Sequence, residues 1–322
     1  DQDHRPLGDR AAIRWARAVT ERPVILVFDG CYHGMVEDAF VVLKDGVQVM
    51  KPGLLGQVSD MTVTTRVVPF NDLPALQAAL APGDVAAVLA EPVMTNCGMI
   101  LPEAGFLAAL RDLTRAAGTL LILDETHTLS AGPGGYGVLH GLQPDMLVIG
   151  KAIAGGVPAA VWGVTAELSA RMDAAQTRIG PGQSGIGTTL SGNALAIAAI
   201  RAMLTHVMTP DAYGRMLAGA ERLVAGLRTV IADHGLAWSA VQAGARVELV
   251  FADPAPKNAA EMRKALDPDL LSAFHLWLIN RGVLIAPFHN MMLVSPVTED
   301  AAIDRLIAAV AGFADALKDL AE

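Results

Sequence analysis

Five short apolar segments, separated by segments with helical spacing, constrain the fold of this chain more than any other feature. They cover residues 23–29, 64–70, 85–91, 119–125 and 146–150. Each is too short to be a buried helix, and glycine, proline or polar residues bound it. Buried strands that alternate with helices are typical of a parallel sheet covered on both faces. The sequence therefore predicts an α/β fold with a doubly wound, mainly parallel sheet.

The C-terminal part of the chain has a different, mixed pattern. A chain of 322 residues exceeds the usual size of one compact domain. We therefore predict a large domain at 1–205 and a smaller α+β domain at 206–322. Spacing predicts helices at 192–207, 215–235, 268–281 and 299–318, a strand at 245–251, and a pair of strands at 282–288 and 290–296.

Charge and apolar patterning exclude several classes of partner. The formal net charge is −9 and the sequence has no basic block, so binding to nucleic acid or to an anionic membrane is not expected. No run of about 18 apolar residues occurs, which argues against a transmembrane helix. The charged first residues are not followed by a secretory apolar region. These features favour a cytoplasmic protein.

The cysteines and histidines point in the same direction. Cys31 and Cys97 are too few for a disulfide framework and lack the spacing of metal ligands, so a reducing compartment is expected. His33, His127 and His289 show none of the short spacings of zinc sites. The sequence predicts no metal site.

Two of the apolar segments end in residues that can do chemistry. Asp124 and Glu125 follow one strand, and Lys151 follows the next. Ligands of such sheets bind beyond the carboxyl ends of the strands, so these groups are expected at the pocket. Each also has a plain structural interpretation: Asp124 as a helix cap, and Lys151 as a member of an ion pair.

The surroundings of Lys151 exclude some lysine chemistries. The phosphate-binding loop of nucleotide hydrolases needs a glycine where Asp145 stands and a Ser or Thr where Ala152 stands. The segment GPGGYG at 132–137 has dinucleotide-motif spacing but neither directly follows a strand nor opens a helical pattern. A lysine that forms a Schiff base remains. With a carboxylate on the neighbouring strand for the pyridine nitrogen, this arrangement suits pyridoxal phosphate.

At this point the sequence resembles the class III aminotransferases, which are pyridoxal-phosphate-dependent enzymes of fold type I, in the branch that includes glutamate-1-semialdehyde aminomutase. Five motifs in the family's order carry the resemblance: FDGCYHG (28–34), EPVMTNCG (91–98), LILDETHT (121–128), IGKAIAGG (149–156) and GTTLSGN (187–193). The resemblance implies a transferase with a mainly parallel large domain and a small α+β domain.

The resemblance also implies roles for single residues. Lys151 would form the Schiff base and act as the acid and base at the substrate Cα, and Asp124 would pair with the pyridine nitrogen. Tyr32 and Thr126 would lie on the two faces of the ring. Asn96 would bind its phenolic oxygen, Glu91 would shape the site, and Thr189 would reach the phosphate in the neighbouring subunit of a homodimer.

One departure from the family leaves alternatives open. Relatives have a phosphate-binding Ser-Gly-Thr/Ser-Glu-Ala type of loop before the first helix, and DQDHRPLGDR supplies no such loop. The N-terminal part of the family fold is therefore expected to be missing. The leading prediction is a transaminase acting between an amino acid or amine and a keto acid or aldehyde. The alternatives are an aminomutase and a non-catalytic dimeric pseudoenzyme.

The substrate is only weakly indicated. Arg246 is the candidate for binding a carboxylate, although an edge-strand or interface role is also open. Phe288 and His289 lie in APFHNMMLVSP (286–296), near the segment with which relatives bind the substrate side chain. We therefore expect a partly apolar substrate pocket.

Overall fold

The structure is a computed structural model that describes residues 5–182, 184–187, 189–286 and 289–321. The helices are α1 (Arg5–Thr20), α2 (Leu73–Leu80), α3 (Phe106–Ala116), α4 (Gly135–Leu139), α5 (Ala166–Ile179), α6 (Ala194–Ala202), α7 (Pro210–His234), α8 (Ala259–Ala265), α9 (Pro268–Ile279) and α10 (Asp300–Ala321). The strands are β1 (Val24–Phe28), β2 (Val41–Lys44), β3 (Val47–Met50), β4 (Thr65–Val68), β5 (Val85–Ala90), β6 (Leu120–Asp124), β7 (Met146–Ile149), β8 (Val161–Val164), β9 (Ser239–Ala243), β10 (Arg246–Val250) and β11 (Met291–Leu293).

The central sheet has six strands in the order β4-β1-β5-β6-β7-β8. The first five run parallel, and β8 pairs antiparallel with β7 at the edge. Every residue of β1, β5 and β6 is buried, as expected for strands covered on both faces. The five predicted strands and the mainly parallel α/β fold are confirmed.

The sequence patterns missed the shorter and less apolar elements. β8 is only partly buried, and the hairpin of β2 and β3 turns at Asp45 and Gly46, which both have positive φ. The hairpin strands contain polar residues, and β8 is interrupted by Gly163, which weakens a strand pattern. The helix predicted at 192–207 is α6 followed by a π-helical turn at Met203–Val207.

A three-stranded antiparallel sheet, in the order β11-β10-β9, forms the centre of the C-terminal part. Helices α7 and α10 pack against each other beside it. The predicted pairing of 282–288 with 290–296 is wrong: residues 283–286 form no strand, and β11 pairs with β10, with Val247 opposite Met292. Side-chain alternation identifies a strand but not its partner, which packing selects.

The two parts of the chain share packed contacts. Val93 and Met99 of the N-terminal part form one buried cluster with Val241, Ala243 and Val250 of the second sheet. The Tyr213 hydroxyl in α7 donates to the Leu129 carbonyl at 3.0 Å. The small sheet is thus held close to the carboxyl edge of the large one. The boundary near residue 205 stays a prediction.

Within the described ranges, no helix is both long enough and apolar enough to cross a membrane.

Candidate functional site

Four adjacent strands deliver polar residues to one edge of the central sheet. Glu91 follows β5, Asp124 ends β6, and Lys151 lies two residues after β7. The loop after β1 carries Tyr32 and His33. Asp124 is paired with Val148 in the sheet, so the ends of β6 and β7 lie side by side. The geometry expected from the apolar segments is therefore present.

Lys151 begins a short 3-10 turn that ends at Ala154. Its backbone has φ of 50°, in the left-handed region that residues with a Cβ adopt rarely and at a cost. Its side chain is exposed and lines a cavity of about 1150 Å³. The side chain is therefore accessible from the cavity, although the residues on either side of it in sequence are apolar. Nζ contacts Nε2 of His127.

The cavity brings together some of the predicted residues but not all. Tyr32, Asn96, Lys151 and His289 line it, together with His127, Cys31 and Cys97. Asp124, Thr126, Glu91 and Arg246 lie in the layer around it, and Thr189 is an exposed residue that is not among the described lining residues. Phe288 lies outside the described residues.

Hydrogen bonds to both carboxylate oxygens hold Asp124 in place. Its Oδ1 accepts from the backbone N–H of Thr126 at 3.0 Å, and its Oδ2 lies 2.9 Å from Nδ1 of His33. Burial alone lowers the pKa of His33, but its hydrogen bonds to Asp124 and Cys31 and their charges outweigh this and raise the pKa well above its usual value. A protonated His33 favours Asp124 as a carboxylate.

A second buried carboxylic acid, Asp9, lies beside the pair of His33 and Asp124. One ligand atom each from Asp9, His33 and Asp124 lies within 4.8 Å of the others. The three come from distant parts of the chain, so spacing in the sequence does not reveal them. The Nδ1–Oδ2 distance in the pair is that of a hydrogen bond. The expected absence of a metal site stays a prediction.

Glu91 organises the wall of the cavity. Its Oε1 accepts from the backbone N–H of Tyr32 at 3.1 Å, and its Oε2 accepts from the Thr95 hydroxyl at 2.9 Å and from Asn96 Nδ2 at 3.2 Å. Glu91 is 4% exposed. A carboxylate that receives three hydrogen bonds can remain buried, and it orients the loops that carry Tyr32 and Asn96.

Thr126 and His127 connect the ends of β6 and β7. The Thr126 hydroxyl accepts from the backbone N–H of Gly150, directly before Lys151, at 3.1 Å. The imidazole of His127 lies between Lys151 Nζ and the Thr95 hydroxyl, which is 2.6 Å from Nδ1. Two local features of the sequence concern His127, its lack of zinc-site spacing and its position three residues after Asp124, and neither predicts these contacts. Nothing in the local sequence predicts the contact of Thr95 with His127 or that of His33 with Asp124.

Glu125 points away from the cavity. It accepts from the Thr128 hydroxyl and from the backbone N–H groups of Tyr136 and Gly137. A Cβ at Gly135 or Gly137 would lie under 3 Å from its carboxyl group. Burial raises the pKa of Glu125, while these hydrogen bonds lower it in part. Gly135 and Gly137 therefore lie against a buried carboxylate, whereas Gly132 and Gly134 face Leu139 and Val138.

The candidate substrate residues lie on the side of the small sheet. Arg246 Nε donates to the His127 carbonyl at 2.8 Å and to the Ser130 hydroxyl at 3.1 Å, and burial lowers its pKa to about 10. Its Nη1 is 3.7 Å from Sδ of Met291, which lines the cavity. His289 lies on the wall of the cavity, with Nδ1 3.5 Å from Oε1 of Glu248.

The residues at this edge fit pyridoxal phosphate. The exposed amine of Lys151 faces a cavity large enough for the cofactor and a small substrate. Asp124, on the adjacent strand, is a buried carboxylate supported by His33, which is the partner that a protonated pyridine nitrogen requires. Tyr32 and Asn96 on the wall supply an aromatic ring and an amide. Together these groups could bind the ring and react with its aldehyde.

Comparisons with known proteins agree with this chemistry. The family model for Aminotransferase class-III matches residues 9–312. Glutamate-1-semialdehyde 2,1-aminomutase from Thermomicrobium roseum is 37% identical over 304 residues, which are 93% of this chain and 69% of that protein.

Solved structures give the same result. A glutamate-1-semialdehyde aminomutase from Pseudomonas aeruginosa PAO1 in complex with PMP has a TM-score of 0.92 and 43% identity, covering 97% of this chain and 70% of that one. A β-phenylalanine aminotransferase from Variovorax paradoxus has a TM-score of 0.84 and 28% identity, covering 99% and 70%. This chain thus belongs to the class III aminotransferases, a family of pyridoxal-phosphate-dependent enzymes of fold type I.

Proposed function

We propose that this chain is a transaminase that moves an amino group between an amino acid or amine and a keto acid or aldehyde, using pyridoxal phosphate bound covalently to Lys151. The observation that carries the proposal is the position of an exposed lysine, Lys151, and a buried carboxylate, Asp124, at the ends of adjacent strands. The bound cofactor supplies an electron sink for the negative charge that develops at the substrate Cα.

The roles of the protein residues follow from their positions. Lys151 reaches into the cavity, so its amine holds the cofactor and moves the proton at the substrate Cα. Asp124 keeps the pyridine nitrogen protonated, since His33 holds it as a carboxylate. Tyr32 and Thr126 enclose the ring, Asn96 hydrogen-bonds its phenolic oxygen, and Glu91 fixes the Tyr32 and Asn96 loops.

The substrate groups are proposed on the opposite wall. The guanidinium of Arg246 lies near Met291. Among the residues that the structure describes, it forms no ion pair within 4 Å, so a substrate carboxylate is its proposed partner. Phe288 and His289 are proposed to contact the substrate side chain.

We also propose a cytoplasmic homodimer. Thr189 is exposed and is not among the residues that line the cavity of its own chain, which supports a role at the phosphate of the neighbouring subunit. Exposed apolar side chains around it, including Leu190 and Leu195, supply a surface for a second copy. Cys31 and Cys97 are free thiols, in keeping with a reducing compartment.

The direct test is the visible absorption of the purified protein after addition of pyridoxal phosphate and desalting. Wild type is expected to retain the band of lysine-bound cofactor, and Lys151→Ala is expected to lose both the band and turnover while remaining folded and dimeric. The matched control is Lys44→Ala, a substitution at the exposed end of β2. Retention of the band and of turnover by Lys151→Ala would rule out the proposal.

Transfer of the amino group within one molecule is a second candidate, favoured by the similarity to proteins named glutamate-1-semialdehyde aminomutases. The two activities are separated by the need for an external amino acceptor. An aminomutase converts glutamate 1-semialdehyde without one, whereas a transaminase stops after a single half-reaction. Product analysis with and without an added keto acid distinguishes them.

A further inference from the structure

His127 lines the cavity and has no part in the proposed roles. It lies three residues after Asp124, and its two ring nitrogens face different groups. Nε2 contacts Nζ of Lys151, and Nδ1 is 2.6 Å from Oγ1 of Thr95. The Thr95 hydroxyl in turn donates to Oε2 of Glu91 at 2.9 Å. A continuous path of hydrogen bonds therefore runs from the lysine amine to a buried carboxylate.

The directions of these hydrogen bonds can be assigned from the chemistry of the groups. An ionised carboxylate only accepts, so the single proton of the Thr95 hydroxyl is donated to Glu91. Thr95 Oγ1 must then accept from His127, which places a proton on Nδ1. In the neutral imidazole Nε2 consequently carries no proton. The nitrogen that faces Lys151 is the one that can take a proton.

We propose that His127 is the proton acceptor for Lys151. Rather than reacting itself, it acts through Lys151 as a relay that converts the ammonium into the free amine. In this step an N–H bond of the Lys151 ammonium breaks, a bond forms between that proton and Nε2, and the positive charge moves to the imidazole. This inference rests on the proposed function, in which the free amine is the form that bonds to the cofactor.

The charges around His127 decide where the proton can rest. Glu91, through Thr95, stabilises an imidazolium, as a carboxylate behind an imidazole does. A positive charge on Lys151 opposes a second one on the imidazole, and loss of the proton from Lys151 removes this repulsion. Arg246 Nε binds the carbonyl oxygen of His127, which fixes the residue while adding an opposing charge. Lys51 and His289 also line the cavity.

Neighbouring residues also restrict the orientation of the His127 imidazole. Arg246 reaches His127 from β10, and Ser130 Oγ donates to the same carbonyl at 2.8 Å. Thr95 is fully buried, so its hydroxyl has a fixed orientation. An imidazole held on its backbone side and at Nδ1 has little freedom to turn away from Lys151. Such fixed orientation is what a proton relay requires.

The test measures covalent capture of the cofactor rather than turnover. Pyridoxal phosphate is mixed with the protein between pH 5 and pH 10, reductively trapped with borohydride at timed intervals, and located at Lys151 by peptide mass. His127→Gln is expected to capture at least about tenfold more slowly than wild type at pH 7. Its capture profile is expected to move to higher pH, because the ammonium then loses its proton only to solvent.

Further variants separate a relay from a structural role. Thr95→Val, which keeps the imidazole but breaks the link to Glu91, is expected to give a smaller shift in the same direction. Millimolar imidazole is expected to restore part of the rate in His127→Ala. Exposed His206, changed to Gln, is the matched control and leaves the profile unchanged. Circular dichroism establishes that each variant is folded.

Two results would overturn the inference. The first is capture by His127→Gln at the wild-type rate and with the wild-type pH profile, which would leave the proposed role of Lys151 intact. The second is a wild-type protein that captures no cofactor at Lys151, which would remove the proposed function and the relay with it.

Discussion

At the scale of the residue, this protein shows how neighbours determine what an ionisable group does. Asp124 and Glu125 are consecutive buried carboxylates, yet one faces His33 and the other faces backbone amides. The first is paired with a histidine whose pKa is raised. The second is enclosed by glycines in a loop that has no part in the cavity. Of the two, Asp124 is the one that we propose to serve the cofactor.

Replacement of Asp124 by Asn tests the first of these roles. The variant is expected to bind cofactor covalently, because Lys151 is unchanged, but to lose turnover by at least about 100-fold, since the pyridine nitrogen loses its charged partner. Stopped-flow measurement of the amine half-reaction gives the rate. Asp145→Asn is the control: this carboxylate pairs with Arg111 at the opposite end of β7 and is expected to affect stability alone. An unchanged rate in Asp124→Asn would assign the nitrogen to another group.

The raised pKa of His33 makes stability depend on pH. The folded protein binds this proton more tightly than the unfolded chain, so the stabilisation is complete below about pH 6.5. It is lost as pH rises towards the folded pKa, at up to about 1.4 kcal/mol per pH unit. Urea unfolding of wild type and His33→Gln at a series of pH values measures it. Wild type is expected to lose free energy of unfolding more steeply above pH 6.5, and equal slopes would refute this.

At the scale of the element, glycine turns decide how closely the two sheets approach. Gly244, in the turn between β9 and β10, has φ of +60°, and a Cβ there would lie 2.2 Å from Cα of Ala131. This turn therefore packs directly on the segment after His127. The same hairpin carries Arg246, whose Nε holds the His127 carbonyl. A small element far along the sequence thus supports the site.

Gly244→Ala is expected to disrupt the packing of this turn on Ala131 and to destabilise the protein. The left-handed backbone costs about 1 kcal/mol for alanine, and the clash with the Ala131 backbone adds roughly 1–3 kcal/mol. Urea unfolding gives the free energy change. Gly46→Ala is the matched control, because Gly46 has φ of +78° in the β2–β3 hairpin with nothing within 4 Å of its Cβ position. Equal destabilisation by the two substitutions would mean that the contact with Ala131 carries no energy.

At the scale of the whole molecule, a shared core joins the two parts of the chain. Val93 and Met99 pack with Val241, Ala243 and Val250, and Asp29 at the end of β1 pairs with Arg263 in α8 at 2.6 Å. The cavity uses residues from both parts, including Lys151 and His289. Closure of the site therefore depends on the packing between them.

This arrangement predicts one cooperative thermal transition. Unfolding either part would expose the shared apolar cluster and remove the contacts of Arg246 and Tyr213, so neither part is expected to unfold alone. Differential scanning calorimetry measures this. Val241→Ala is expected to lower the free energy of unfolding by about 2 kcal/mol. The temperature of the single transition falls, and the transition does not split into two. Two transitions in wild type would show that the parts are energetically independent.

Local sequence patterns were enough to locate the central strands of the large sheet and two polar residues at its carboxyl edge. Continuous apolar runs located five strands of the large sheet, and the residues that follow them placed Asp124 and Lys151 at its carboxyl edge. This succeeds because hydrophobic periodicity and strand ends are local properties of the chain. The ordered motifs around these residues were sufficient to identify the family.

The tertiary structure alone decided which groups face each other. His33 reaches Asp124 across 91 positions, and Arg246 reaches His127 across 119. β11 joins β10 rather than the segment that precedes it. Such contacts depend on how the sheets pack, and no local pattern encodes a partner so far away. For the same reason, the position of His127 between Lys151 and Thr95 became visible only in the folded chain.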